Sequence, residues 1–151
     1  MTTDQEAPLD LPLGPVLLVD DSETDRYILR RMLKRGNVAL EIHECQNGQR
    51  ALEFLRGFEP DEQGGAIQAI FLDINMPVMN GFEFLATYEA ARAELACAPS
   101  IVMLFSSSSN PEDHRRASEH PDVVGVLTKM PASPEEFRAQ VALRLEQRRA
   151  T

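Results

Sequence analysis

Cysteine, histidine and long apolar runs are all scarce in this chain, and each shortage removes a class of function. The two cysteines, Cys45 and Cys97, form no CxxC pair and join no histidine cluster. That argues against a disulfide framework or a thiolate metal site, and for reduced thiols packed as small hydrophobes in a cytosolic protein. His43, His114 and His120 lack metal-ligand spacing and read as structural or exposed. No apolar stretch approaches the roughly 20 residues of a membrane span. Met1 to Pro15 is acidic, is broken by Pro8, Pro12 and Pro15, and lacks the basic start of a signal peptide. The expected location is the cytoplasm, with no membrane partner. Basic residues are short as well: 15 Lys and Arg stand against 24 Asp and Glu, a formal net charge of -9. Such a chain repels nucleic-acid backbones, so no nucleic-acid partner is expected; the surplus acid suits solubility, basic surfaces or cations.

What is present is enough for one globular domain: 151 residues, 43% hydrophobic and 26% charged. Residues 1–14 read as a flexible N-terminal extension and residues 15–151 as the domain. Val16 to Val19 is an apolar run ending in Asp20-Asp21, the pattern of a buried parallel strand. Ser22 caps a helix with Ile28, Leu29, Met32 and Leu33 on one face, which stops at Gly36-Asn37. Leu40 to Cys45 alternates as a second strand, and Asn47 opens a helix with Ala51, Leu52 and Leu55 inward. Ala66 to Leu72 runs into Asp73; Asn80-Gly81 precedes a helix bearing Phe84, Leu85, Tyr88 and Leu95. Ile101 to Phe105 runs into Ser106, and Asn110-Pro111 starts the next helix. Val123 to Leu127 leads to Thr128-Lys129, and Ser133-Pro134-Glu135-Glu136 opens a last helix with Phe137, Val141 and Leu145 inward. Strand and helix alternate five times, which predicts an α/β fold with a doubly wound parallel sheet. The last helix reaches the end of the chain, so no output domain is expected.

In such sheets ligands bind beyond the carboxyl ends of the strands. The residues expected there are Asp20 and Asp21 after the first strand, Asp73 after the third, Ser106 after the fourth and Lys129 after the fifth. Converging carboxylates repel one another unless a hard divalent cation lies between them, and Mg²⁺ favours oxygen ligands of this kind, with Mn²⁺ as the alternative. A lysine and a hydroxyl on the same rim suit the oxygens of a phosphoryl group. Taken singly the features are bland: Asp20-Asp21 reads as a helix-cap cluster, the run Ser106 to Ser109 as a polar loop, and Lys129 as a solvated charge. Their order and placement at the strand ends make the joint pattern specific.

Val-Asp-Asp at 19–21, Asp-Ile-Asn-Met-Pro-Val-Met-Asn-Gly at 73–81, the hydroxyl closing strand four and the lysine closing strand five resemble the receiver domains of response regulators. The resemblance covers nearly all of residues 16–147. It implies a flavodoxin-like five-stranded sheet in the order 2-1-3-4-5 and a stand-alone two-component switch. Asp73 would accept a phosphoryl group from a phosphohistidine. Asp21 and Asp73 would hold Mg²⁺ directly, Asp20 through water, and Asn75 through its backbone carbonyl. Ser106 would hydrogen-bond the new phosphoryl group and Lys129 would pair with it. Asn75 and Ser108 occupy positions that set phosphoryl lifetime, and Pro77 and Gly81 shape the turn after the acceptor. The partners implied are a sensor histidine kinase or a histidine phosphotransfer protein and a downstream protein the sequence does not name, with the chain a monomer or a homodimer.

The sequence departs from the family pattern at three places. Ser106 stands where threonine is usual, and Val126 where an aromatic residue usually swings inward on activation. Lys129-Met130-Pro131 replaces a direct lysine-proline step, leaving the Met130–Pro131 bond free to be cis or trans. The basic side of the first helix, Arg26, Arg30, Arg31, Lys34 and Arg35, reads equally as a solvated face and as a kinase-docking surface. A Mg²⁺-dependent phosphohydrolase is the enzymatic rival, but it needs an acid/base aspartate two residues after its nucleophile, where Asn75 stands. A degenerate, scaffold-only receiver is the second rival, and the retained acids, hydroxyl and lysine oppose it.

Overall fold

The apolar runs become strands whose burial reports their place in the sheet. The computed structural model describes residues 10–59, 66–76, 78–92, 95, 101–106, 111–129 and 133–150, with side chains described as far as residue 147. In chain order its elements are β1 (Leu13–Val19), α1 (Glu23–Arg35), β2 (Ala39–Cys45), α2 (Gly48–Gly57), β3 (Ala69–Asp73), α3 (Gly81–Ala91), β4 (Ile101–Ser106), α4 (Pro111–Ala117), β5 (Val123–Thr128) and α5 (Pro134–Ala150). The sheet has five parallel strands in the order β2-β1-β3-β4-β5, as the resemblance implied. β3 and β4 are buried at every residue, whereas the edge strand β2 mixes buried and exposed positions. A strand covered on both faces needs apolar side chains on both, which is why the central strands read as unbroken runs.

Alternation along the strands divides the core in two. Leu17, Val19, Ile70, Leu72, Val102 and Leu104 face Leu52 and Leu55 of α2 and Phe84, Leu85 and Tyr88 of α3. Val16, Leu18, Phe71, Met103 and Phe105 face Leu29 and Leu33 of α1 and Phe137, Val141 and Leu145 of α5. Phe71, Phe105 and Phe137 pack together with centroids 5.9 to 6.4 Å apart. Caps set the helix starts: Ser22 accepts from the Asp25 N–H, Asn47 from the Arg50 N–H and Ser133 from the Glu136 N–H. Asn80 and Glu83 form a reciprocal capping box at α3.

The boundaries of β1 and α3 differ from the sequence reading. β1 begins at Leu13, two residues inside the stretch read as a lead-in. Its Leu13 N–H donates to Val38 O at 2.7 Å and its Gly14 N–H to the Gln68 side chain at 2.8 Å. Pro15 does not end the strand, because β3 joins only from Val16 onward and a proline near a strand start removes little pairing. α3 ends at Ala91, so Leu95 is buried beyond the helix, with its N–H donating to Arg92 O. The Asn110 cap, Pro77 and the Met130–Pro131 bond lie outside the described residues.

The register aligns the carboxyl ends. Val19 pairs with both Cys45 and Leu72, Asp73 with Phe105, and Ser106 with Thr128. The loop after β3 then folds back tightly. Gly81 N–H donates to Ile74 O at 2.8 Å, and a Cβ at Gly81 would lie 2.7 Å from Asp73 O and 2.9 Å from Ile74 Cα. Within the same loop Val78 holds a left-handed φ of 70° while 74% exposed, a conformation that disfavours a β-branched residue. Opposite outcomes are expected in thermal unfolding. Gly81→Ala lowers stability by about 1–3 kcal/mol, because backbone rather than a flexible side chain must yield. Val78→Asn raises it by about 1 kcal/mol, since asparagine tolerates the left-handed region and little burial is lost.

Candidate functional site

Asp20 and Asp73 are placed at the rim by backbone bonds to neighbouring elements. Asp20 follows β1 and donates its N–H to Cys45 O at 3.1 Å, while its own carbonyl accepts from Arg26 Nη1 at 2.6 Å. Its Oδ1 accepts from the Ser22 N–H at 2.9 Å, so the start of α1 fixes the carboxylate. Asp73 ends β3, and its neighbour Ile74 donates to Phe105 O of β4. Asp20 is 1% exposed and Asp73 3%, whereas Asp21 is open to solvent. One carboxylate oxygen from each of the three lies within 4.8 Å of the others.

Lys129, directly after β5, supplies the counter-charge. Its N–H donates to Ser106 O at 3.3 Å, tying it to the end of β4. Its Nζ lies 3.0 Å from Asp20 Oδ2, 3.3 Å from Asp73 Oδ1 and 2.8 Å from Asp25 Oδ2. Sequence reasoning missed Asp25. The signal was an acid one helical turn after Asp21 on a helix leaving the strand end, where side chains lean toward the helix N-terminus and hence toward the rim. Buried Ser106 closes β4 beside these groups, and exposed Asn75 donates its N–H to Asp73 Oδ1 at 3.4 Å. Ser108 lies outside the described residues.

The basic residues of α1 divide. Arg26 and Arg30 both form ion pairs with Glu44 of β2, and Arg26 also holds the Asp20 carbonyl. Arg26 is therefore a strut of the acidic site, and Arg30 is partly committed to the sheet edge. Arg31 faces outward with Tyr27, whose exposed ring lies 5.5 Å from the guanidinium carbon of both Arg30 and Arg31. Val126 pairs with Leu104 and packs against the core on the α2–α3 side. The branched side chain at the usual aromatic position is thus part of the packed sheet.

Charge crowding perturbs the groups it touches. Burial, then the charge of Asp20, raises the Asp73 pKa to about 6, against the pull of Lys129 and the Asn75 N–H. For Lys129 burial acts downward, but its hydrogen bond to Asp25, its close contact with Asp20 and the charge of Asp73 prevail and raise its pKa above the ordinary lysine value. Among the described residues the buried Asp20 Oδ2 finds no hydrogen-bond partner, Lys129 meeting it only at ion-pair distance. An all-oxygen donor set with a buried oxygen lacking a hydrogen bond fits a hard divalent cation such as Mg²⁺. Asp20, Asp21 and Asp73 could hold it, whereas the nearby thiol of Cys45 is pushed up to about 11 by burial and is not a competing ligand at neutral pH.

Without metal, the Asp73 carboxylate opposes folding. An acid whose folded pKa exceeds its unfolded one is destabilising when ionised; that contribution grows from about pH 4 and is complete above about pH 6. In EDTA, Asp73→Asn is expected to raise stability by on the order of 2 kcal/mol at pH 7.5. The gain should shrink as pH falls from 6 to 4, as read from denaturant midpoints across that range.

With the geometry in place, three likenesses to known proteins bear on it. A family profile described as the response regulator receiver domain matches residues 16–142. A two-component response regulator of rice, ORR1 from Oryza sativa subsp. japonica, is 33% identical over 99 residues, 64% of this chain and 41% of its own length. The chain spans about two fifths or less of the length of the first curated relatives it matches. Response regulator Rcp1 of Synechocystis sp. is 31% identical over 118 residues, 78% of each chain. The chemotaxis response regulator CheY4 of Vibrio cholerae superposes with a TM-score of 0.65 at 26% identity, covering 87% of this chain and 98% of that one. The chain belongs to the response regulator receiver domain family.

Proposed function

We propose that this chain acts as a stand-alone response regulator that accepts a phosphoryl group on Asp73. The observation that carries the reading is the placement of Asp73: a buried carboxylate at the end of β3, 3.3 Å from Lys129 and clustered with Asp20 and Asp21. The donor would be the phosphohistidine of a sensor histidine kinase or of a histidine phosphotransfer protein. A carboxylate oxygen of Asp73 attacks phosphorus, the P–N bond breaks, and the imidazole leaves with the bonding pair. The product is an acyl phosphate on Asp73.

Such a transfer depends on positioning and charge neutralisation more than on covalent help. Mg²⁺, or Mn²⁺ in its place, would be held by Asp20, Asp21, Asp73 and the Asn75 carbonyl, and supplies charge neutralisation for the crowded oxygens. Lys129 then pairs with the phosphoryl oxygens, and Ser106 donates its hydroxyl to them. Asn75 and Ser108 occupy the sequence positions that the family resemblance links to phosphoryl lifetime. Asp73 must be ionised to attack, and without metal its raised pKa of about 6 keeps part of it protonated in mildly acidic solution. A kinase would dock over α1 beside the acceptor. Arg26 is already bound to Glu44 and Asp20, which leaves Tyr27, Arg30 and Arg31 as the outward contacts. The signal passes on by protein–protein contact or onward phosphotransfer, and with Val126 packed into the sheet it depends on movements other than an aromatic swing.

Incubation with acetyl phosphate and Mg²⁺, followed by intact mass measurement, tests the reading. Wild type should carry a single phosphoryl adduct that is lost in Asp73→Asn and in EDTA. No adduct from any small donor would favour a scaffold, and continuous phosphate release at enzymatic rates would favour a hydrolase.

A further inference from the structure

Among the described residues, four carboxylates rather than three gather at Lys129's end of the site, and the fourth makes the shortest contact. Asp25 Oδ2 is 2.8 Å from Nζ, against 3.0 Å for Asp20 and 3.3 Å for Asp73, while Asp21 completes the acidic cluster. The ammonium donates a hydrogen bond to Asp25 and stands at ion-pair distance from Asp20 and Asp73. Two of those partners are the buried acids a divalent cation would need. The third differs: Asp25 lies on the first turn of α1, and its side chain is 31% exposed where that of Asp20 is 1%.

From this arrangement we infer that Asp25 is a positioning residue, which holds the Lys129 ammonium at the rim when a divalent cation takes Asp20 and Asp73. The inference rests on the acceptor-site reading above. A dication and an ammonium cannot share the same buried oxygens without strong like-charge repulsion. Cation entry therefore drives Nζ off Asp20 and Asp73. Without Asp25 the displaced ammonium, on a side chain only 11% exposed, would lose the last of these three carboxylate partners. With Asp25 it keeps one, beside the position the phosphoryl group must occupy. The contact is shared three ways in the metal-free protein and undivided once the cation is bound, so it is stronger in the bound state. By linkage it must then favour metal binding.

The prediction is a specific coupling between Asp25 and Lys129, read from Mg²⁺ affinity and not from activity. The chain has no tryptophan, so calorimetric titration of the full chain with Mg²⁺ is the readout. Asp25→Asn preserves side-chain shape and leaves the backbone cap to Ser22 in place; Glu23→Gln removes the same charge from the same helix turn without removing a contact to Lys129. Asp25→Asn should weaken Mg²⁺ binding about 5- to 10-fold and Glu23→Gln less than about 2-fold. In a Lys129→Met background, where no ammonium needs a partner, the Asp25→Asn effect should fall to about that of Glu23→Gln. Equal effects of the two single substitutions, or an undiminished Asp25→Asn effect in the Lys129→Met background, would overturn the inference while wild-type binding left the acceptor site standing. Absence of Mg²⁺ binding by wild type would overturn both.

Discussion

Among the described residues a single ammonium, that of Lys129, stands against the carboxylates of Asp20, Asp73 and Asp25 at the carboxyl edge of the sheet. Two of those acids are almost fully buried, and buried carboxylates so close together resist joint ionisation. Burial first, and then the charge of Asp20, pushes the Asp73 pKa upward. The site is therefore incompletely neutralised by these side chains alone. A divalent cation and a phosphoryl group of opposite charge can be added to it in turn, each relieving the imbalance left by the other. That imbalance is what links the fold to signalling chemistry.

The rest of the structure serves to keep these charges together. Parallel pairing brings the ends of β1, β3, β4 and β5 into line, and two apolar layers fix the strands against helices on either side. Arg26 braces the backbone of Asp20 and is itself held by Glu44 of the edge strand. Gly81 lets α3 seat directly on the Asp73 backbone. Stability from the core thus offsets the cost at one rim, where repulsive charges are held in a geometry they would not adopt alone.

The strands and the main rim residues were legible in the sequence because local rules govern them. Unbroken apolar runs such as 69–72 and 101–105 mark strands buried on both faces, and the first polar residue after each run falls at the rim. The caps Ser22, Asn47 and Asn80 were legible for the same local reason. What stayed hidden depends on distant partners. Asp25 meets Lys129 across 104 positions of sequence, and Arg26 meets Glu44 only because β2 lies beside α1. The early start of β1 rests on Val38 and Gln68, which no window around Leu13 contains. The left-handed turn at Val78 was illegible because the loop imposes it on a residue that does not prefer it.

Val126 packs against the core, and in the proposed function the response therefore starts from displacement of charge and not from an aromatic swing. The central claim is that a divalent cation and Lys129 contend for the same carboxylates, Asp20 and Asp73. Crystals grown with Mn²⁺ and measured at the manganese absorption edge address it directly. The account predicts one anomalous peak among Asp20, Asp21 and Asp73, with Lys129 Nζ withdrawn from the 3.0 Å separation it keeps from Asp20 Oδ2 without metal. A peak elsewhere, or a cation at those carboxylates with Lys129 unmoved, would contradict it.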